Sequence, residues 1–213
     1  MDFTTLNNGV EMPLEGLGVF QVTDGGECKR AVSEALDAGY RLFDTAACYG
    51  NERVVGAALA ESDVAREDAF LVSKVWIQDA GYERTMRSFE KTLENLRTDY
   101  LDLYLIHMPY GDYHGSWRAM EDLLTEGHVR AIGVCNFMPD RLVDLILSHE
   151  VVPAVNQIEL HPFCQQRTLR RLMDRYGIAD MVRIQAMDEG CPLILDVHTV
   201  LEAYRLHGIT FEQ

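Results

Sequence analysis

Between residues 14 and 176 the chain repeats one pattern six times: a short, nearly continuous apolar run followed by a stretch with helical spacing. The apolar runs fall at residues 14–19, 41–44, 70–74, 101–106, 131–135 and 154–158. The helical stretches fall at 27–38, 52–59, 82–96, 117–124, 139–147 and 165–176. In the first of these Ala31, Val32, Ala35 and Leu36 line one face before Gly39 closes the helix, and Pro139 opens another, where its missing N–H does no harm. Strands apolar on both faces belong to a parallel sheet wrapped by helices. No G-x-G-x-x-G follows the first strand, so an open dinucleotide-binding sheet loses its main support and a closed β/α barrel fits better. Ahead of the repeats, Phe3-Thr4-Thr5-Leu6, Asn7-Asn8-Gly9 and Val10-Glu11-Met12 read as a β-hairpin, because Asn-Gly accepts the positive φ of a tight turn. The expectation is an α/β (β/α)8 TIM-type barrel with an N-terminal β-hairpin, forming a single domain over residues 1–213.

The rhythm then fails. A seventh strand is due after Ile178, but residues 179–187 read as an amphipathic helix, and residues 191–213 as a mixed tail with no clear strand–helix unit. A complete eight-unit barrel takes about 250 residues. The expectation is therefore a chain short by its seventh and eighth strand units, six units occupying residues 1–178 and a C-terminal helix and tail occupying 179–213.

Composition narrows the function classes. With 47% hydrophobic and 25% charged residues the chain is an ordinary globular one. A net charge of −15 argues against nucleic acid or an anionic membrane as partner, since both require a basic face. No apolar stretch reaches transmembrane length, and Met1-Asp2-Phe3-Thr4 lacks signal-peptide character. Cys28, Cys48, Cys135, Cys164 and Cys191 are odd in number, scattered and free of C-x-x-C pairs, which indicates neither a disulfide framework nor a zinc site. A cytoplasmic protein without a metal is expected. Cys48 has no activating base adjacent in sequence and is set aside as a nucleophile.

Four polar residues sit where apolar runs end: Asp44 and Tyr49 after residues 41–43, Lys74 after 69–73, and His107 after 100–106. Parallel α/β enzymes place their chemistry at the carboxyl ends of strands. A phenol is too weak an acid for easy exchange at neutral pH, but a neighbouring ammonium favours its ionised form. That ammonium needs a carboxylate if it is to survive burial, and an imidazole can hold a carbonyl oxygen in line. Together the four make a general acid for a carbonyl oxygen. Singly, each is as well explained as a turn cap or a solvated polar group.

The segments Asp44-Thr45-Ala46-Ala47-Cys48-Tyr49-Gly50-Asn51-Glu52, Val72-Ser73-Lys74-Val75-Trp76, Asp102-Leu103-Tyr104-Leu105-Ile106-His107, Gly133-Val134-Cys135-Asn136-Phe137 and Val155-Asn156-Gln157-Ile158-Glu159 resemble the aldo-keto reductase family in order and spacing. The resemblance runs from about Phe3 to Ile178 and is strongest to small bacterial members of the 2,5-diketo-gluconate or methylglyoxal reductase type. It implies Tyr49 as general acid, Lys74 and Asp44 as the pair that lowers its pKa, and His107 as orienter of the substrate carbonyl. It implies that Asn136 and Gln157 hold a nicotinamide carboxamide, with Asp44 near the ribose and Cys135 where the family has serine. Val19, Phe20, Trp76, His107 and Met108 would border the substrate, although packing alone explains the apolar ones nearly as well. The implied activity is NAD(P)H-dependent reduction of an aldehyde or ketone. NADP is the family default and NAD stays open; the implied partner is a small carbonyl compound, and the implied state a monomer.

The resemblance also implies a seventh-strand aromatic residue that stacks on the nicotinamide, and basic residues at the eighth strand that grip the 2′-phosphate; neither is found here. Asp180-Met181-Val182-Arg183-Ile184, Pro192-Leu193-Ile194-Leu195-Asp196 and Arg205-Leu206-His207-Gly208-Ile209 look instead like the family's C-terminal helix and tail, as if a block were missing at 178/179. Residues absent from the chain as numbered explain this better than a genuine deletion, because losing two adjacent strands would open the barrel's edges. A genuine deletion would favour a catalytically impaired or regulatory barrel protein. A Schiff-base barrel enzyme using Lys74 is the third reading.

Overall fold

The computed structural model describes residues 2–161, 163–185 and 192–195, the backbone alone for 183–185 and 192–195. The hairpin forms as expected: β1 (Phe3–Thr5) pairs antiparallel with β2 (Glu11–Pro13), with Gly9 at φ +87° in the turn. Then β3 (Glu15–Gly18), α1 (Gly25–Asp37), β4 (Leu42–Asp44), α2 (Glu52–Ala60), β5 (Phe70–Val75), α3 (Tyr82–Leu96), β6 (Leu101–Ile106), α4 (Tyr113–Thr125), β7 (Val129–Cys135), α5 (Pro139–Ser148), β8 (Val155–Ile158) and α6 (Arg167–Tyr176) follow in the expected alternation. Helix α4 begins four residues before the expected 117, because Asp112 caps it by accepting from the Gly115 amide at 2.8 Å.

The chain passes from Ile178 straight into β9 (Ala179–Gln185), so the helix expected over 179–187 is a strand. β9 pairs parallel with β8, and Ala179 and Met181 join the barrel interior while Asp180 takes a salt bridge from Arg170 on α6 at 2.8 Å. The helical spacing was a weak signal. An unpaired edge on β8 supplies a stronger demand, and the β-branched Val182, fully buried, meets it. Strand β10 (Pro192–Leu195) runs antiparallel between β9 and β3 and closes the barrel in the order β10-β3-β4-β5-β6-β7-β8-β9. The open edges therefore do not arise. No helix follows β9 among the described residues, so no seventh or eighth strand–helix unit is complete among them. The tail beyond residue 195, with the Arg205–Ile209 segment, lies outside the described residues.

Two cores result. One packs the helices on the outside of the barrel; the other fills its interior with Leu42, Phe70, Val72, Leu103, Leu105, Ala131 and Val155, plugged from below by Leu6 and Met12 of the hairpin. Gly133 is required here: a Cβ would lie 2.6 Å from the Val155 carbonyl oxygen of the neighbouring strand. At the amino-terminal end Asp102, fully buried, accepts from Arg66 at 2.8 Å and Arg130 at 2.7 Å, a structural use of charge. No described helix is long and apolar enough to cross a membrane.

Candidate active site

Strand parity places the polar residues. Leu42 and Val72 point into the barrel, so Asp44 and Lys74, two positions on, do the same at the carboxyl ends of β4 and β5. Cys135 on β7 follows Ala131 by four, and Gln157 on β8 follows Val155 by two. Asp44, Lys74, Cys135 and Gln157 thus form a polar layer above the apolar ones, buried in every case.

Lys74 is wholly buried. Its Nζ donates to Asp44 Oδ1 and, at 2.9 Å, to the Thr45 carbonyl. Burial alone would drive the ammonium to release its proton, but Asp44, Tyr49 and Cys135 outweigh that and hold its pKa above the ordinary lysine range. Asp44 Oδ2 accepts from Gln157 Nε2 at 3.2 Å, so both carboxylate oxygens are engaged.

Tyr49 lies outside the sheet, at the end of a single 3-10 turn (Ala47–Tyr49) that Gly50 terminates at φ +73°, a conformation suited to glycine. Lys74 Nζ is 5.3 Å from the centre of the Tyr49 ring, and the His107 ring is 5.6 Å from it, edge-on. His107 is nearly buried immediately after β6, its amide donating to the Val75 carbonyl at 3.1 Å. All four expected residues meet at one mouth of the barrel. Asn136 is held at φ +60° with its side-chain amide donating to the His107 carbonyl at 3.2 Å and to Met108 Sδ at 3.3 Å. The Cys135 thiol is 3.7 Å from Gln157 Oε1, a long contact.

The residues expected to border a substrate divide. The Phe20 ring centre lies 5.0 Å from that of Tyr49 and the Trp76 ring centre 4.9 Å from that of His107, so both pack against the candidate group, and Met108 Sδ accepts from Asn136. Val19 is 1% exposed in the outer core, with its carbonyl accepting from Asn51 at 2.9 Å; it is a packing residue.

Three participants were not assigned from sequence. Cys48 Sγ lies 3.5 Å from His107 Nδ1, so the base missing beside it in sequence is present in space. Burial nonetheless pushes its thiol pKa up, with Lys74 pulling the other way. Asn51 fastens the Tyr49 turn to β3 through the Val19 and Val22 carbonyls and accepts from Thr45 Oγ1 at 2.7 Å. Glu52, 4% exposed, takes Ser73, Thr92 and Asn95 at 2.8–2.9 Å and ties α2 to β5 and α3. Both stand in the Asp44–Glu52 segment, whose density of polar residues was the available signal.

The profile of the Aldo/keto reductase family matches residues 16–190. The chain is 52% identical over 178 residues to "Glyoxal reductase" of Bacillus subtilis (strain 168), covering 83% of this chain and 64% of that protein; it thus spans less than two thirds of that relative's length. It is 47% identical over 203 residues to "Uncharacterized oxidoreductase YtbE" of the same organism, covering 91% of this chain and 72% of the relative. A run of 203 residues for that share accommodates no gap of several tens of residues, so the unmatched part of YtbE falls outside the span rather than between Ile178 and Ala179. The fold superposes on the crystal structure of Bombyx mori aldo-keto reductase in complex with NADP with a TM-score of 0.83 and 30% identity, covering 97% of this chain and 76% of that one. The barrel, the residues at its mouth and these matches lead to one conclusion: the chain belongs to the Aldo/keto reductase family.

Proposed function

We propose that the protein reduces a small aldehyde or ketone to the alcohol, with Tyr49 as the proton donor. The observation that carries this reading is the convergence on Tyr49: the buried Lys74 ammonium lies 5.3 Å from its ring and His107 5.6 Å away, inside walls formed by Phe20 and Trp76. Lys74 is locked as an ammonium by Asp44, which suits it to stabilise a tyrosinate. The same lock argues against a Schiff-base role, which needs a neutral amine.

The residues present fit the nicotinamide half of a dinucleotide. Asn136 and Gln157 bring two side-chain amides to the mouth, the complement of a carboxamide, and Asp44 lies beside Gln157, a suitable acceptor for a ribose hydroxyl. When bound, the cofactor supplies the hydride. His107 holds the carbonyl oxygen, Tyr49 gives it a proton, and Lys74 with Asp44 balances the charge left on the phenol oxygen. Phe20 and Trp76 limit water at the reacting carbon.

NADP is the favoured cofactor and NAD the second candidate; the NADP-bound structural relative supports this order. The glyoxal reductase relative supports a small, reactive carbonyl substrate. A monomeric cytoplasmic enzyme agrees with the acidic composition. The test is the loss of NADPH absorbance with glyoxal and methylglyoxal, repeated with NADH. Turnover that is faster with NADPH is expected; no turnover of any aldehyde with either cofactor contradicts the proposal.

A further inference from the structure

Outside the catalytic group, three metal-ligating side chains converge among the described residues: Glu159, His161 and Cys164, whose ligand atoms all lie within 4.8 Å of one another. The backbone explains why. Beyond β8, exposure alternates: Glu159 points out, Leu160 is 6% exposed, and His161 points out again, so Glu159 and His161 share one face of an extended segment. His161 and Cys164 then pair as an antiparallel bridge, with His161 N donating to the Cys164 carbonyl at 3.2 Å and Cys164 N to the His161 carbonyl at 2.8 Å. Residues opposed in such a pair carry their side chains on the same face, with Cβ atoms about 4.5–5.5 Å apart. Period-two alternation and cross-strand pairing thus bring all three groups to one side of one turn. A search of the sequence for C-x-x-C pairs cannot find this mixed set.

We propose that this turn is a binding site for a thiophilic divalent cation of the zinc type. A thiolate, an imidazole and a carboxylate are zinc's ligand types, whereas magnesium and calcium prefer oxygen alone. Zinc–ligand bonds of about 2.0–2.3 Å put the ligand atoms of a tetrahedral site about 3.3–3.8 Å apart, within reach of side-chain rotation from the observed arrangement. The fourth position falls to water. His161 Nε2 already faces Glu159 Oε1 at 2.8 Å, and Cys164 is a free cysteine. On binding, Cys164 gives up its thiol proton. The Nε2 proton that faces Glu159 passes to Nδ1, with loss of the 3.3 Å contact from the Phe163 amide, so that a neutral imidazole and a carboxylate face the ion. Affinity therefore falls as pH falls. Glu159 follows Gln157 by two residues, so an occupied site fastens the segment that leaves the amide assigned to the nicotinamide.

The proposal is independent of the catalytic reading, and its test needs no turnover. Purified protein carrying Cys48→Ser, which removes the exposed thiol beside His107, is titrated with Zn2+ by calorimetry and with Co2+ by absorption. One Zn2+ site is expected, with a thiolate-to-cobalt charge-transfer band. Cys164→Ser in that background should abolish the band, and His161→Asn or Glu159→Gln should each weaken Zn2+ binding by about tenfold or more. Thermal melts confirm that these surface variants fold. Absence of saturable Zn2+ binding, or binding and a band unchanged in Cys164→Ser and His161→Asn, overturns the proposal.

Discussion

Gln157 donates to Asp44 Oδ2 at 3.2 Å across the barrel mouth, between residues 113 positions apart. Asp44 therefore divides its two oxygens between Lys74 and Gln157, so that the proposed proton-donating and cofactor-holding groups would share one carboxylate. Gln157→Ala should weaken NADPH binding by about 1–2 kcal/mol, roughly 5- to 30-fold. Cys135→Ser replaces a weak donor to Gln157 Oε1 with a strong one and should tighten binding a few-fold. Fluorescence titration of NADPH checks both.

Asp44→Asn leaves the Lys74 ammonium buried without its carboxylate counter-charge, with neutral acceptors such as the Thr45 carbonyl at 2.9 Å in its place. Breaking a buried pair from one side costs about 3–5 kcal/mol. Urea unfolding should show that loss in the midpoint. A loss below about 1 kcal/mol would show that water reaches Lys74.

The folded pKa of Lys74 lies above its ordinary value, so its favourable contribution is complete below the ordinary lysine pKa and disappears as pH rises through the folded value. The stability difference between the wild type and Lys74→Met should therefore stay flat from neutral pH up to the ordinary lysine range. It should shrink only at still more alkaline pH. Thermal melts across that range test the sign.

Cys48 is exposed, but its thiol pKa is raised by burial of the sulfur, with Glu52 adding to the effect and Lys74 opposing it. Iodoacetamide should alkylate it more slowly at neutral pH than a free thiol, with the rate climbing at alkaline pH. Peptide mass spectrometry after timed labelling reads this directly. A fast, pH-independent reaction would instead mark a thiolate paired with His107.

The six strand–helix units and the four catalytic candidates were legible because strand burial leaves a continuous apolar run and because Asp44, Lys74 and His107 each terminate one. Three features were not. Residues 179–185 carry helical spacing but pair with β8, a demand set by a strand 24 residues upstream through Val155↔Ala179. Val19 was placed at the pocket by the family resemblance, and only its packing shows that it sits in the outer core. Cys48 meets His107 across 59 positions, a distance that adjacency in sequence cannot reveal.

On the proposed mechanism Tyr49 gives the proton, and its phenol is not among the groups assigned to the cofactor, which are Asn136, Gln157 and Asp44. The most direct measurement is Tyr49→Phe, with NADPH affinity and turnover of glyoxal determined on the same sample. NADPH affinity should stay within about twofold, and kcat should fall about 10²- to 10⁴-fold. A variant that binds NADPH normally and turns over within a few-fold of the wild-type rate would contradict the assignment of Tyr49.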